Sequence, residues 1–202
     1  IMAHGDDKGL NLPPKLAPHQ VVVIPITPNE DSKATVLEAT QKITEELGKS
    51  FRVYVDDRDN ISPGFKFNEW ELKGVPLRIE IGPRDVENKS VVFSRRDGVD
   101  GKFDINFDDI NTKVTETLDD VHKNLLNLSR NFREENTVHV DSYDELISAL
   151  NGEPGFVTCF WNENSEDENK VKAETKATLR CYVLNEEKTD KAVNNENEQG
   201  KL

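Results

Sequence analysis

Residues 63–97 read PGFKFNEWELKGVPLRIEIGPRDVENKSVVFSRRD, and this stretch decides the fold. Its first two residues, Pro63 and Gly64, predict the start of a helix, and Gly74 predicts its end. Apolar side chains recur at helical spacing between these limits, so one side of the helix should face a sheet. These apolar positions are Phe67, Trp70, Leu72 and Val75.

Two strands are predicted after this helix. The segment Leu77–Ile81 alternates apolar and polar side chains, so Arg78 and Glu80 should lie on the face opposite the apolar residues. A Gly-Pro turn follows, and the apolar run Val91–Phe93 predicts the next strand. If the two strands pair as a hairpin, three polar residues should project beside Arg78, namely Ser94, Arg95 and Arg96.

The preceding residues predict a strand, helix and strand in succession. The continuous apolar run Val21–Ile26 is typical of a strand that is buried on both faces of a parallel sheet. A helix should begin near Pro28–Asp31 and end at Gly48, and Phe51–Asp57 returns to strand character. This order predicts a βαβ unit with a right-handed crossover.

The following residues predict a short edge strand, a long helix and a second, smaller α/β unit. The edge strand is Lys102–Phe107, and the long helix is Asp108–Glu135, with apolar residues three and four apart as far as Leu128 and Phe132. The smaller unit should contain, in order, strand Val138–Val140, helix Ser142–Leu150, strand Gly155–Trp161, helix Ser165–Thr175 and strand Ala177–Leu184. Residues 185–202 are polar and aperiodic, so we expect them to be disordered.

The charge distribution indicates one region suited to a polyanion. The 202 residues carry a net charge of −13, which argues against a protein that coats nucleic acid without specificity. Residues 63–102, however, hold eight basic and seven acidic side chains, a net charge of +1. This balanced region within an acidic chain favours a localised site for a polyanion, although chance can also produce such unevenness.

Length, cysteine use and hydropathy place further bounds on the chain. A length of 202 residues fits one main domain with a small appendage. No apolar run is long enough for a membrane span and no signal peptide is evident, so we expect a cytoplasmic protein without a membrane partner. Cys159 and Cys181 lie in apolar runs, which predicts buried, reduced thiols. The first residue is Ile1 rather than Met, so we expect a fragment of a longer protein.

No combination of residues predicts a complete catalytic centre. Adjacent carboxylates such as Asp56 and Asp57 are usually solvated, and the four histidines have none of the spacings of a metal site. A Gly-rich phosphate loop is also missing from the sequence. We therefore predict no catalytic and no metal-binding residue in these 202 residues.

The basic residues after position 77, together with the aromatic residues before them, have two interpretations. An exposed aromatic ring can stack on an unpaired base, arginine can bind phosphate or the edge of guanine, and a carboxylate such as Glu71 can accept hydrogen bonds from guanine. Alternatively, the aromatic residues belong to the core and the arginines pair with nearby carboxylates on a solvated surface. Trp70 should lie in the core under either interpretation. The arginines concerned are Arg78, Arg84, Arg95 and Arg96.

Residues 63–85, PGFKFNEWELKGVPLRIEIGPRD, resemble the anticodon-binding domain of prolyl-tRNA synthetases. Residues 2–26, MAHGDDKGLNLPPKLAPHQVVVIPI, resemble the segment by which that family leaves its class II catalytic domain. GFVTCFW at residues 155–161, with KAETKATLRC at residues 172–181, resembles the C-terminal module of the archaeal and eukaryotic-like form. The resemblance spans residues 1–184.

The resemblance implies an α/β fold and the reading of an anticodon. The expected anticodon-binding domain has a five-stranded mixed sheet with three flanking helices, and a small α/β module follows it. The anticodon of tRNA(Pro) has guanine as its second and third bases. By position in the motif, the residues implied in contact with it are Phe67, Glu71, Arg78 and Arg84, with Arg95 or Arg96 nearby.

The resemblance also implies that the parent enzyme has an activity that these 202 residues alone lack. The parent enzyme would attach proline to tRNA(Pro) using ATP and Mg²⁺ in the cytoplasm, as a homodimer joined through its catalytic domain. We expect the 202 residues alone to lack this activity and to bind no cofactor. Many relatives hold a structural zinc ion through two cysteine pairs, but Asn162 and Asp167 occupy the positions of the first pair here, so we expect no zinc.

Four segments and two alternative functions complete the predictions. We expect an exit segment at residues 1–18, the anticodon-binding domain at 19–135, the α/β module at 136–184 and the disordered tail at 185–202. One alternative function is a free-standing relative of the domain that acts as a tRNA-binding accessory protein, and residues 1–18 argue against it. The other is an unrelated small α/β enzyme, which the lack of a catalytic centre disfavours.

Overall fold

The computed structural model describes residues 3–99, 101–153, 155–182, 188–189, 192–194 and 200–201. The chain divides into two compact units, Ile1–Ser129 and Arg130–Leu202, and the boundary falls within a long helix. None of the described helices is both long enough and apolar enough to cross a membrane.

A five-stranded mixed sheet forms the centre of the first unit. Its strand order is β2-β1-β3-β4-β5, in which β1 is parallel to β2 and β3, and β4 is antiparallel to β3 and β5. This arrangement confirms the predicted fold class. The elements are β1 (Val21–Pro25), α1 (Glu30–Leu47), β2 (Val53–Val55), α2 (Pro63–Leu72), β3 (Leu77–Ile81), α3 (Pro83–Glu87), β4 (Ser90–Arg95), β5 (Lys102–Asn106), a 3₁₀ turn (Phe107–Asp109) and α4 (Ile110–Glu135).

Local signals in the sequence set the ends of these helices. The Asn29 side chain caps α1 by accepting a hydrogen bond from the backbone N–H of Ser32, and Gly48 follows its last turn. Ser62 caps α2 in the same way, directly before Pro63. The predicted Gly-Pro turn is instead a short helix, α3, because the Asp85 carboxylate accepts a hydrogen bond from the N–H of Gly82 at 2.8 Å.

The two faces of the sheet are covered differently. On one face, β1, β3 and β4 contribute Val21, Val23, Leu77, Ile79, Ile81, Val91 and Phe93 to a core that they share with α1 and α4. On the other face, Trp70 of α2 and Val75, which follows this helix, pack against Val22 and Ile24 of β1. Trp70 is buried, as predicted.

Two predictions for α2 and its surroundings are wrong. Leu72 is 60% exposed rather than turned toward the sheet, and Lys66 is buried instead. Lys66 is stable there because its ammonium group donates a hydrogen bond to the backbone oxygen of Asp56 at 3.0 Å. Asp56 itself is fully buried and not solvated, whereas its neighbour Asp57 is exposed.

Helix α4 extends beyond the apolar core that it covers. Its buried residues end at Leu125, and Leu128 and Phe132, which continue the predicted helical spacing, are 51% and 68% exposed. A helix of 26 residues is about 39 Å long, whereas the five-residue strands beneath it span about 17 Å. The helix is therefore longer than the strands that it packs against.

The second unit is a small α/β structure with its own core. Strands β6 and β7 are parallel, β8 and β9 are antiparallel, and the core contains Val140, Leu146, Trp161, Val171 and Val193. The elements are β6 (Thr137–His139), α5 (Tyr143–Leu150), β7 (Phe156–Thr158), α6 (Ser165–Thr175), β8 (Lys188–Thr189) and β9 (Gly200–Lys201).

Three predictions for the second unit need correction. Residues 177–182 of the predicted strand Ala177–Leu184 have no regular structure, and residues 183 and 184 lie outside the described residues. Within the predicted disordered tail, β8 pairs with β9, and Val193 is buried because this apolar residue packs into the core of the unit. Ala192 and Asn194 are also described, and the remaining tail residues lie outside the described residues. Cys181 is exposed rather than buried, whereas Cys159 is half-buried, and burial raises the pKa of the Cys159 thiol to about 11.

Candidate nucleic-acid interface

A buried carboxylate attaches α2 to the sheet and thereby positions the side chains of this helix. The Asp56 carboxylate accepts hydrogen bonds from Trp70 Nε1 at 2.8 Å and from two nitrogens of Arg58 at 2.6 and 2.8 Å. The hydrogen bonds from Arg58 lower the pKa of Asp56 to about 2. Because Trp70 lies in the last turn of α2, between Phe67 and Glu71, this network fixes the part of the helix that carries these two residues.

An aromatic ring and two cations meet where α2 borders β3. The guanidinium carbon of Arg78 lies 4.4 Å from the centre of the Phe67 ring, and Lys102 Nζ lies 5.5 Å from it. Phe67 is half-buried. The flat guanidinium group and the ring therefore form a stacked pair of the kind that can extend to an unpaired base.

A buried glutamate holds this pair in place. Glu80, whose side chain is 5% exposed, lies 3.1 Å from Arg78 Nε and 2.7 Å from Lys102 Nζ, and it accepts hydrogen bonds from both. Arg78 Nη2 also donates a hydrogen bond to Ser94 Oγ at 3.1 Å. A buried charge is stable only when it is paired, so Glu80 and Arg78 fix each other.

A pocket next to this pair combines an acceptor with donors. It is open to solvent and brings Glu71 of α2 together with Arg78 of β3, which are seven residues apart in the sequence. A carboxylate and a guanidinium group in one pocket can accept from and donate to the edge of a guanine base. The full lining is Val22, Trp70, Glu71, Val75, Arg78, Ser94, Arg95 and Arg96.

The three other predicted arginines do not share the hydrogen-bond partners of Arg78, although Arg95 and Arg96 also line the pocket. Arg96 is 6% exposed, and its donors are used by Asp6 and by the backbone oxygen of Glu71. Arg84 is exposed on α3, and none of the described contacts joins it to Phe67 or Arg78.

Arg95 lies on the opposite face of the sheet, so the prediction that it projects beside Arg78 is wrong. It pairs in register with Leu77, whose side chain is in the core shared with α1 and α4. There Arg95 donates two hydrogen bonds to Asp97, at 2.6 and 2.9 Å, and Asp97 also accepts one from Asn124 of α4. Successive side chains of a strand point to opposite faces of the sheet, so Arg95 lies on the face opposite its neighbour Ser94.

Ser94 lies beside Arg78 as predicted, whereas Lys102, the other neighbour in this cluster, was not predicted from the sequence. Ser94 pairs in register with Arg78 on one side and with Lys102 on the other, so the three residues form a row across β3, β4 and β5. The alternation of side chains along each strand predicts which face of the sheet each of these residues occupies. The register between the strands, which the sequence alone does not show, was needed to assemble the row.

Comparisons with known proteins agree with this fold. The family described as "Anticodon binding domain" matches residues 20–117, and the family described as "Prolyl-tRNA synthetase, C-terminal" matches residues 143–201. The second match extends through most of the segment predicted to be a disordered tail.

Two curated relatives and one solved structure illustrate the similarity. Proteins named proline–tRNA ligase from Roseiflexus sp. (strain RS-1) and Natranaerobius thermophilus are 47% and 46% identical over 92% and 93% of this chain. The crystal structure of prolyl-tRNA synthetase from Cryptosporidium parvum, complexed with L-proline and AMP, is 38% identical over 87% of this chain with a TM-score of 0.77.

The match covers only part of each relative. The chain spans 39% of the length of the Roseiflexus protein and 38% of the Cryptosporidium chain. Both matched families, the level of identity and the shared fold point to the same group of proteins. The chain therefore belongs to the prolyl-tRNA synthetase family, of which it contains the anticodon-binding and C-terminal domains.

Proposed function

We propose that this chain recognises the anticodon of tRNA(Pro) for an enzyme that attaches proline to this tRNA. The observation that carries the proposal is the Arg78–Phe67 pair, 4.4 Å apart, beside the pocket that contains Glu71. Stacking surface, donor and acceptor are the three elements needed to read a base in a single strand. The names of the relatives supply the identity of the tRNA and of the amino acid.

Each residue of the proposed site has a distinct role. Phe67 and Arg78 provide a stacking surface, and Arg78 also donates to a base or a phosphate group. Glu71 accepts hydrogen bonds from the Watson–Crick edge of one of the two guanines. Arg84, exposed on α3, binds phosphate. Arg95 makes no contact with the tRNA in this proposal, and Arg96 acts only by positioning α2.

Proline activation belongs to a part of the enzyme that this chain does not match. We infer that ATP and Mg²⁺ bind there, that the cytoplasmic enzyme is a homodimer through that part, and that the 202 residues alone form no prolyl-adenylate. Among the described residues there is no cluster of three or more His, Cys, Asp or Glu side chains suited to a metal ion, so no metal-dependent step is assigned to them.

We also propose that the second unit folds without zinc. A structural zinc site needs four ligands, usually with deprotonated cysteines, but Cys159 has its pKa raised by burial and Cys181 is exposed. At the positions where relatives have cysteines, Asn162 and Asp167 are hydrogen-bonded to the side chain of Asn194. The residues present therefore do not fit a zinc ion.

Titration with tRNA(Pro) transcripts that differ only at the two anticodon guanines tests the proposal. The chain should prefer the natural transcript, and each well-read guanine should contribute about 1–3 kcal/mol. Glu71→Ala should abolish the preference for one guanine while leaving salt-dependent binding largely in place. Glu46→Ala alters an exposed position on α1 and serves as a control, which should change neither the affinity for tRNA nor the preference for the natural transcript.

Two results would contradict the proposal. Equal binding of all transcripts by the unaltered chain would rule out anticodon reading. Formation of prolyl-adenylate from proline and ATP by the purified chain would instead refute the assignment of the chemistry to another part of the enzyme.

A further inference from the structure

A tight turn near the start of the chain lies against the anticodon site. The backbone N–H groups of Asp6 and Gly9 each donate a hydrogen bond to the other residue's carbonyl oxygen, at 3.1 and 3.0 Å. The Asp6 carboxylate also accepts a hydrogen bond from the N–H of Lys8 at 2.9 Å. These bonds close residues 6–9 into one compact element, which we call the N-terminal turn.

The N-terminal turn packs directly on the backbone at the end of α2. The N–H of Leu10 donates a hydrogen bond to the carbonyl oxygen of Leu72 at 2.9 Å. Gly9 has φ +128°, and a Cβ atom there would lie 2.6 Å from Leu72 Cα, so only glycine permits this approach. Gly74 has φ +72°, and a Cβ atom there would lie 2.6 Å from Leu10 Cβ. Two glycines therefore bring the turn and the end of α2 into backbone contact.

Arg96 connects the N-terminal turn to the residue proposed to read guanine. Its Nη1 and Nη2 donate to the two oxygens of Asp6 at 2.8 and 2.6 Å, and its Nε donates to the backbone oxygen of Glu71 at 2.9 Å. The Arg96 side chain is only 4% exposed. A guanidinium group with all three nitrogens engaged and this little exposure is a structural link between the two segments.

Lys8 adds a second link, which acts on the Glu71 side chain. Its ammonium nitrogen lies 3.5 Å from Glu71 Oε1. The backbone of Glu71 is thus held by Arg96 and its carboxylate is approached by Lys8, and both of these contacts depend on the N-terminal turn.

We propose that the N-terminal turn is part of the guanine site, in which Asp6, Lys8 and Arg96 are positioning residues that set the selectivity of Glu71. This inference rests on the proposed function. A carboxylate that reads the edge of a base must be held in place, because a misplaced acceptor no longer distinguishes guanine from another base. Loss of the turn should therefore reduce selectivity more than general affinity for tRNA.

The test compares two neighbouring substitutions that remove the same charge. Asp6→Asn weakens the link to Arg96, whereas Asp7→Asn alters an exposed residue one position away. In fluorescence titrations with anticodon stem-loops, Asp6→Asn should reduce the preference for the natural guanine by about fivefold. Affinity for the altered stem-loop should match that of Asp7→Asn, which should keep the full preference.

A double-mutant cycle distinguishes positioning from a general loss of structure. In a Glu71→Ala chain, which lacks the guanine acceptor, Asp6→Asn should have no further effect on preference. Additive losses would overturn the inference, because they would show that Asp6 acts independently of Glu71. Equal preference in Asp6→Asn and Asp7→Asn would also overturn it.

A second variant covers the case in which Asp6→Asn unfolds at the assay temperature. Lys8 is 70% exposed, so Lys8→Gln should leave the fold intact and lower the preference by a smaller factor; an unchanged preference would then overturn the inference. If the unaltered chain shows no preference, the proposed function fails. If it shows a preference that only Glu71→Ala removes, this inference fails alone.

Discussion

The two faces of the five-stranded sheet are built from the same strands but differ in what holds them together. On the face toward α1 and α4, the core is built from apolar side chains, and Phe93 is 1% exposed within it; the charged Arg95 lies at the end of β4. On the opposite face, β3 to β5 carry Arg78, Glu80, Ser94 and Lys102 in one hydrogen-bonded cluster. Packing stabilises the first face, whereas paired charges organise the second.

The difference shows how a sheet can be both stable and able to bind. The apolar face stabilises the unit through burial, which requires no particular partner for each side chain. The polar face buries fewer apolar side chains, but its charged side chains are held in position by their neighbours before any ligand binds. Only the second face can donate and accept hydrogen bonds to a base, so the stability of the unit and its binding should be separable by mutation.

The largest expected effect comes from truncating the apolar face. Phe93→Ala should lower the free energy of unfolding by about 3–5 kcal/mol, because it leaves a cavity in a close-packed core. Phe103 lies directly opposite Phe93 on β5 but is 42% exposed, so Phe103→Ala should cost about 1 kcal/mol or less. Urea unfolding measures both. Equal losses would contradict the view that burial, rather than position in the sheet, sets the stability of this face.

A smaller effect concerns pH and the buried network that attaches α2. The pKa of Asp56 is lowered to about 2 in the folded chain from its ordinary value of 3.8, so the folded state favours the ionised carboxylate. Its stabilisation, about 2 kcal/mol, should be complete above pH 4 and should be lost as the pH falls toward 2. Asp56→Asn, which cannot ionise, should lack this part of the pH dependence.

Urea unfolding at several pH values between 7 and 2.5 provides the measurement. The difference in stability between the unaltered chain and Asp56→Asn should shrink as the pH falls below 4, whereas the exposed control Asp57→Asn should follow the unaltered chain throughout. A difference that stays constant with pH would show that Asp56 stabilises α2 through its shape and not through its charge.

The smallest effect on stability is expected on the polar face. Glu80→Gln should cost about 1 kcal/mol, because hydrogen bonding to Arg78 is partly retained and Lys102, which is 55% exposed, can turn to water. Preference for the natural anticodon should nevertheless fall, since Arg78 loses its charged partner. Asp104→Asn removes the same charge from an exposed position on β5 and should leave the preference unchanged. An identical effect of both variants would show that charge alone matters.

The main elements of the fold could be predicted because their signals are local. Caps, glycines and the alternation of side chains depend on residues close together in the sequence, and they placed α1, α2 and the strand pair β3–β4. The errors arose where distant residues decide the outcome. Lys66 is buried because Asp56, ten residues away, accepts its hydrogen bond, and Val193 is ordered because a core assembled from other segments receives it.

The candidate site shows the same limit more clearly. Phe67, Glu71 and Arg78 came from a motif within twelve residues, and their proximity follows from one helix and one strand. Arg95 and Arg96 are adjacent in sequence, yet one faces the core with α4 and the other is bound to Asp6, ninety residues away. No local pattern distinguishes these two environments, because each depends on a partner that the fold supplies.

The sequence by itself determined the fold class, the order of the elements and the family to which the chain belongs, since these follow from periodicity and from short motifs. Which cationic side chains can contact a ligand, and which are paired within the protein, depends on the tertiary structure. Hydrogen bonds and ion pairs are directional and act over a few ångströms, so the role of each charged side chain depends on register and long-range packing. Arg78 at the open pocket and Arg96 buried beneath it are the clearest example of that difference.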